Sequence, residues 1–308
     1  MTTALLTHAD CLGHVTPDGH PERVARLEHV LHALEPLDLP RHTAPLAAED
    51  DVLRVHPRSY IDRLRAALPD EGIVRLDEDT FMSPGSLDAA WRGAGAAVRA
   101  VDMVMGGEAG NAFCATRPPG HHAERETAMG FCLFGNAALA AKHALDHHGA
   151  GRVAVLDFDV HHGNGTQDLL WDEKRTLFIS SHEWPLYPGT GARNEIGDFD
   201  NVLNMPLPSG SGGGTARQLW RDIAFPRLRR FWPDLIIVSA GFDAHLNDPL
   251  ATLEWGVEDF TWISREICGL ADELCEGRVV STLEGGYDLQ ALSEGVVAHV
   301  RALKEAAS

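Results

Sequence analysis

No run of apolar residues in this sequence approaches the roughly 18–20 needed to cross a bilayer, so no membrane-spanning segment is expected. The opening MTTALLTHAD (1–10) lacks a basic stretch, a long apolar core and a cleavage site, which argues against a secretory signal. Cysteines number five, an odd count without a CxxC pair. That argues against a disulfide framework and suits a reducing compartment, with the cytoplasm as the expected location. Positive charge is scarce: 26 Lys and Arg face 45 Asp and Glu, for a net charge of −19. Phosphate backbones need a basic face, so no nucleic-acid partner is expected. The negative field mildly favours cationic substrates, although a solvated acidic surface is the plainer account of it. Internal repeats, low-complexity tracts and long linkers are also missing, which predicts a single catalytic domain over 1–308. What remains is globular in composition, with 44% apolar and 23% charged residues.

Short β-rich runs alternate with longer helical ones. Candidate strands are 2–7, 111–116, 152–160, 176–182, 234–240 and 278–284, several of them nearly continuous in apolar and β-branched residues. Such runs suit strands buried on both faces. Between them lie amphipathic stretches at 21–34, where Pro21 suits a first helical position, and at 257–274, where Phe260, Ile263, Ile267, Leu270 and Leu274 recur at helical spacing. PLPSGSGGGT (206–215) reads as a flexible connection before the helix TARQLWRDIAF. The alternation predicts an α/β fold: an open, mostly parallel sheet with helices on both faces.

In such a sheet ligands bind at the carboxyl ends of the strands, and four candidate strands end in residues able to do chemistry. They run into RPPGHHA (117–123), DFDVHHGNG (157–165), GFDAH (241–245) and EGGYD (284–288). Alternation along a strand puts Asp157, Asp159 and His161 on one side, with Phe158 and Val160 on the other. Asp159 and His161 then aim a carboxylate and an imidazole at one point, and Asp243 is the best third ligand. An Asp2His set with an open position suits catalytic zinc, with iron or cobalt as substitutes. A hydrogen-bonded Asp–His pair organising a turn is the plainer alternative for DxH alone. The prolines of RPPGHHA stiffen the loop that carries His121 and His122. One of these can serve as base and then acid, if Asp157 and Asn164 orient the rings. Tyr287 can donate to an oxygen that gains negative charge. Histidine is frequent, at 17. One further pair, His147 and His148, follows the helical run NAALAAKHALD and reads as ordinary cationic capping of a helix C-terminus.

Together HPERVARL (20–27), RPPGHHA, GFCLFGNAA (130–138), VLDFDVHHGNGTQ (155–167), FISSHEWPLYPGTG (178–191), VSAGFDAHLNDPL (238–250) and LEGGYDL (283–289) resemble the histone deacetylase superfamily. The likeness is to its class II branch, with bacterial amidohydrolases, acetylpolyamine amidohydrolases and acetoin-utilisation proteins. The resemblance implies the arginase/deacetylase-like fold, with one zinc at the base of a narrow tunnel. It implies Asp159, His161 and Asp243 as the zinc ligands, His122 as general base and acid, and His121 as its electrostatic partner oriented by Asp157. It further implies Tyr287 as the carbonyl-polarising donor and Gly130, Phe131 and Tyr187 as tunnel walls. Tyr187 replaces a phenylalanine often found there. A structural potassium is implied near Asp157, Asp159, His161, Ser180 and Ser181. Asn164 stands where class I members carry aspartate, which should leave His122 less cationic. Leu250 stands where polyamine-specific relatives carry a glutamate gatekeeper.

The function expected from this resemblance is zinc-dependent hydrolysis of an N-acyl amine, with acyl-lysine or a small N-acyl amide as substrate. Alternatives are an acetylpolyamine amidohydrolase, a two-manganese ureohydrolase of the arginase kind, or a non-catalytic acyl-binding module. Relatives form dimers and tetramers, so a homodimer or homotetramer is an open expectation.

Overall fold

The computed structural model of the chain describes residues 1–307. Ten strands occur among them: β1 (Thr3–Thr7), β2 (Arg41–Thr43), β3 (Val74–Arg75), β4 (Phe81–Met82), β5 (Asn111–Cys114), β6 (Val153–Asp157), β7 (Thr176–Trp184), β8 (Val202–Pro208), β9 (Leu235–Ala240) and β10 (Val279–Leu283). Eight of them form one sheet in the order β2-β1-β5-β10-β9-β6-β7-β8, with every pairing parallel. β3 and β4 make a separate antiparallel hairpin.

Why the central strands read as apolar runs is visible in where successive side chains go. Leu5 packs into one core and Leu6 into another, on opposite faces of the sheet. In β6, Ala154 and Leu156 face the first core while Val153 and Val155 face the second. A strand covered on both sides needs apolar residues at both phases of the alternation. The first core is completed by helices Val24–Leu34, Val257–Cys275 and Leu289–Ala306, the second by Arg58–Ala67, Ser86–Met105 and Asn136–Asp146. Among the described residues, no helix is long and apolar enough to cross a membrane.

Four local expectations change. The first long helix begins at Val24 with Arg23 extended as its cap, so Pro21 lies before the helix. Residues 206–208 belong to β8, which among the described strands pairs only with β7. Pro206 and Pro208 are tolerated because an edge strand does not need every N–H. The helix after that loop starts at Gly213, opens into a wide i→i+5 turn over Trp220–Ala224 and resumes at Phe225–Phe231. Pro226, which has no N–H to continue the i→i−4 ladder, sits where the turn closes. Finally, β6 stops at Asp157, and residues 158–161 form a bend rather than more strand.

The consequence for function lies in the strand order. β5, β10, β9 and β6 are consecutive neighbours at the centre of the sheet. Their four polar carboxyl-terminal loops therefore open onto one place, although 36 to 164 residues separate the partners that meet there.

Candidate active site

Asp159, His161 and Asp243 converge, each buried, with one ligand atom apiece within 4.8 Å of the others. His161 Nδ1 lies 3.2 Å from Asp159 Oδ1 and 3.2 Å from Asp243 Oδ2. The carboxylates are aimed by backbone donors. Gly285 N–H donates to Asp159 Oδ2 at 2.8 Å, and Val160 N–H donates to Asp243 Oδ1 at 2.9 Å. Strand alternation is not what puts Asp159 and His161 together. The bend after β6 does so, closed by His161 N–H donating to Asp159 Oδ1 at 2.9 Å, while Phe158 and Val160 turn into the core. Gly285 is required where it stands: a Cβ there would come within 2.0 Å of Asp243 Oδ2.

The donor set suits a cation. Ligands at about 2.0–2.1 Å in a tetrahedron are about 3.3–3.4 Å apart, close to the spacing seen between His161 and each carboxylate. Burial alone would lower the His161 pKa, yet Asp159 and Asp243 lift it to about 10. Two buried carboxylates thus demand positive charge at the point where they meet.

His121 and His122 lie above this triad with ring centroids 4.0 Å apart, and their electrostatics diverge. His121 Nδ1 is 3.0 Å from Asp157 Oδ2. Burial would disfavour its charged form, but Asp159 and Asp157 hold its pKa well above the usual imidazole value. His122 Nδ1 is 2.7 Å from Asn164 Oδ1. The Asn164 amide nitrogen donates to Glu124 Oε1 at 2.8 Å and to Met129 Sδ, so its oxygen faces the ring. His122 must then donate from Nδ1, which leaves Nε2 as its acceptor. Burial, His121 and His161 together hold the His122 pKa well below its ordinary value. Positive charge is thus favoured on the His121 ring and disfavoured on that of His122.

A cavity of about 230 Å³ ends on His122, His161 and Tyr287. Phe131 and Tyr187 form its aromatic sides, and Leu186 and Leu250 add apolar surface. Tyr187 stands edge-on to His122 with centroids 5.2 Å apart, and Phe131 edge-on to Tyr287 at 5.8 Å. Gly130, at φ 55°, brings this loop so close that a Cβ would meet the His122 ring at 2.4 Å. The Tyr287 phenol is buried, which pushes its pKa well up despite the Arg26 guanidinium 4.9 Å from the ring centre. It stays a donor at any working pH.

His121, Asp157 and Asn164 sit behind the cavity wall, with Asp157 against the His121 ring and Asn164 against that of His122. Ser180 and Ser181 lie in β7 beside Asp157, away from the cavity. Ser180 Oγ is 2.9 Å from His182 Nδ1, and Ser181 Oγ accepts from Trp220 Nε1 at 3.0 Å.

Three further carboxylates support the site without having stood out as candidates. Glu284, at the end of β10, accepts from Gly120 N–H at 2.7 Å and His121 N–H at 3.1 Å, which pins the RPPGHH loop. Asp248 accepts from Tyr287 N–H at 2.7 Å and from Leu250 N–H at 3.0 Å, fixing two cavity residues at once. Asp79, in the β3–β4 turn, lines the cavity. Glu284 and Asp248 lie inside motifs quoted above, so their positions were legible although their partners were not. Asp79 carries no local pattern.

Comparison with known proteins follows the same lines. Residues 20–303 match the histone deacetylase domain family. The chain is 40% identical to histone deacetylase 10, chloroplastic, of Oryza sativa subsp. japonica, over 94% of this chain and 71% of that protein. It is 41% identical to a histone deacetylase-like amidohydrolase of Pseudomonas aeruginosa, over 87% of this chain and 73% of that one. The crystal structure of the HDA15 HD domain superposes with a TM-score of 0.93 at 31% identity, covering 99% of this chain and 89% of that one.

Proposed function

The chain belongs to the histone deacetylase domain family, and from that premise we propose that it is a zinc-dependent amidohydrolase that removes acetyl or other short acyl groups from amines. The observation that carries this reading is the convergence of Asp159, His161 and Asp243 beside the cavity that His122 and Tyr287 line. Two carboxylates and one imidazole suit zinc, or iron or cobalt in its place, better than a magnesium ion that wants six oxygens. Bound there, zinc would acidify a water molecule and polarise the acyl carbonyl.

The protein's own groups complete the reaction. His122 Nε2 takes the proton of the attacking water and returns it to the amide nitrogen as the C–N bond breaks, giving a carboxylate and a free amine. The Asn164 acceptor holds the ring in the tautomer this transfer needs. Tyr287 donates to the carbonyl oxygen as charge gathers there. Cationic His121, paired with Asp157, stabilises negative charge developing next to it. Phe131 and Tyr187 fit the methylene chain of an acyl-lysine, which is the first substrate to test. An acylated polyamine is the second, favoured by the Asp79 carboxylate in the cavity wall, where an ammonium could sit. A potassium ion near Asp157, Asp159, His161, Ser180 and Ser181, a single catalytic unit working in the cytoplasm, and a homodimer or homotetramer belong to the same proposal.

The test is an assay panel of acetyl-lysine peptides, acetylated polyamines and small N-acyl amides, each run before chelation, after it, and after zinc is restored. Activity that chelation abolishes and zinc restores is expected. Activity indifferent to chelation, or restored by manganese alone, would overturn the reading.

A further inference from the structure

A second group of histidines lies away from the cavity. Helix Asn136–Asp146 carries His143 in its last turn, with His147 as its cap and His148 next in the chain. Helix Ser86–Met105 packs alongside it and brings Asp102 to the same point. His143 and His147, four residues apart, share one helix face. Their rings are stacked, with centroids 4.7 Å apart and planes 13° from parallel. Nε2 of His143 and Nε2 of His148 each lie 2.8 Å from the same atom, Asp102 Oδ1. One donor atom from each of the four residues falls within 4.8 Å of all the others.

Two imidazoles share one carboxylate oxygen, and a third stacks on the first. His143 is 96% buried, and among the described residues its Nδ1 has no hydrogen-bond partner; the nearest carboxylate oxygen, on Asp51, is 3.5 Å away. Nδ1 faces away from Asp102, toward Asp51, and is where the ring proton would sit once Nε2 binds an ion.

We propose that Asp102, His143, His147 and His148 form a second metal site, for a divalent ion of the zinc, nickel or copper kind, that ties the ends of two helices together. Three imidazoles and one carboxylate are the ligands such ions prefer, whereas calcium and magnesium call for oxygen. Four protein ligands leave no open position, so the site is structural rather than catalytic. The ligands need little movement. The 2.8 Å contacts open by roughly half an ångström to reach tetrahedral spacing, and His147 swings in. His143 is buried, Asp102 and His148 are half-buried and His147 is exposed, so the ion enters directly from solvent. Each ring nitrogen that now meets Asp102 must present its lone pair to the ion, with the ring proton held on the other nitrogen, so binding weakens in acid.

The experiment compares the untagged chain with the double variant His147→Ala/His148→Ala. Each is equilibrated with micromolar zinc, freed of excess metal and analysed for zinc per chain. Wild type should hold one equivalent more than the variant. Zinc at a hundredfold excess over Kd should also raise its Tm by about 4 °C more than the variant's. The variant should keep full hydrolytic activity, since neither residue lines the cavity. Equal zinc contents with equal thermal shifts would overturn the proposal. Failure of the catalytic-zinc reading looks different: the variant itself would hold no metal.

Discussion

Replacing Glu22 with glutamine probes the buried charges that support the cavity from behind. Glu22 is fully buried between two guanidiniums that are also fully buried. Arg117 Nη2 donates to it at 2.6 Å and Arg26 Nη1 at 3.0 Å. Arg26 in turn donates from Nε to the Gly286 carbonyl at 2.6 Å and lies against the Tyr287 ring. Glutamine keeps the shape and removes the charge, leaving two buried cations facing a neutral amide. Removing one partner of a buried ion pair costs about 3–5 kcal/mol. Over 308 residues the entropy of unfolding is about 0.65 kcal/mol/K, so Tm should fall by about 5–8 °C. Acidity provides a second readout. Burial would raise the Glu22 pKa, but Arg117 and the hydrogen bonds of His14 and Arg117 hold it well below 4.5. A depressed folded-state pKa gives stability that is fully present above the unfolded value and is lost as pH falls through the folded one. The gap between wild type and Glu22→Gln should therefore be complete at pH 7 and shrink on acidification below about 4.5. Scanning calorimetry across this range decides it. A variant within about 1 °C of wild type at pH 7, or a gap that widens in acid, would refute the reasoning.

Tyr287→Phe keeps the ring against Arg26 and Phe131, so Tm should be unchanged while turnover drops by roughly 10²–10³ with metal retained; near-wild-type turnover would remove the phenol from the chemistry. Asn164→Leu strips the acceptor from His122 Nδ1, and kcat should fall about 10–100-fold with little change in KM, measured by steady-state kinetics on the best panel substrate. Asp159→Asn removes one of the three proposed zinc ligands, so zinc content after dialysis should fall by one equivalent and hydrolysis should be lost, while the proposed histidine site outside the cavity still loads. Phe113→Ala, at the centre of one core, should cost about 3–5 kcal/mol in urea denaturation and leave turnover per folded molecule intact.

The sequence was most legible where chemistry is carried by near neighbours in the chain. Asp159 and His161 are two apart, His121 and His122 adjacent, and each set follows a strand whose apolar pattern is strong, so that residue spacing alone brings them to one sheet edge. Even there the route differed, because a bend and not an extended strand turns Asp159 and His161 inward. The helix at 257–275 was legible from the periodicity over 257–274, and that at 136–146 as a helical run, whereas β2 and β8, at the edges, lack the two-faced apolar pattern that marks a buried strand.

Tertiary structure decided the rest. β10 lies between β5 and β9, and that order, set by pairing between distant segments, sends Gly285 to Asp159 and Glu284 to the histidine loop. The pairings of Asp157 with His121 and of Asn164 with His122, which the family resemblance implied, join segments 36 and 42 residues apart that spacing alone does not bring together. His147 and His148 read as an ordinary helix end because Asp102, which draws them into a cluster, lies on a different helix more than forty residues earlier. Local pattern follows from the chain's own periodicity. Meetings between remote residues depend on which strands pair and which helices pack, and the linear sequence does not display those choices.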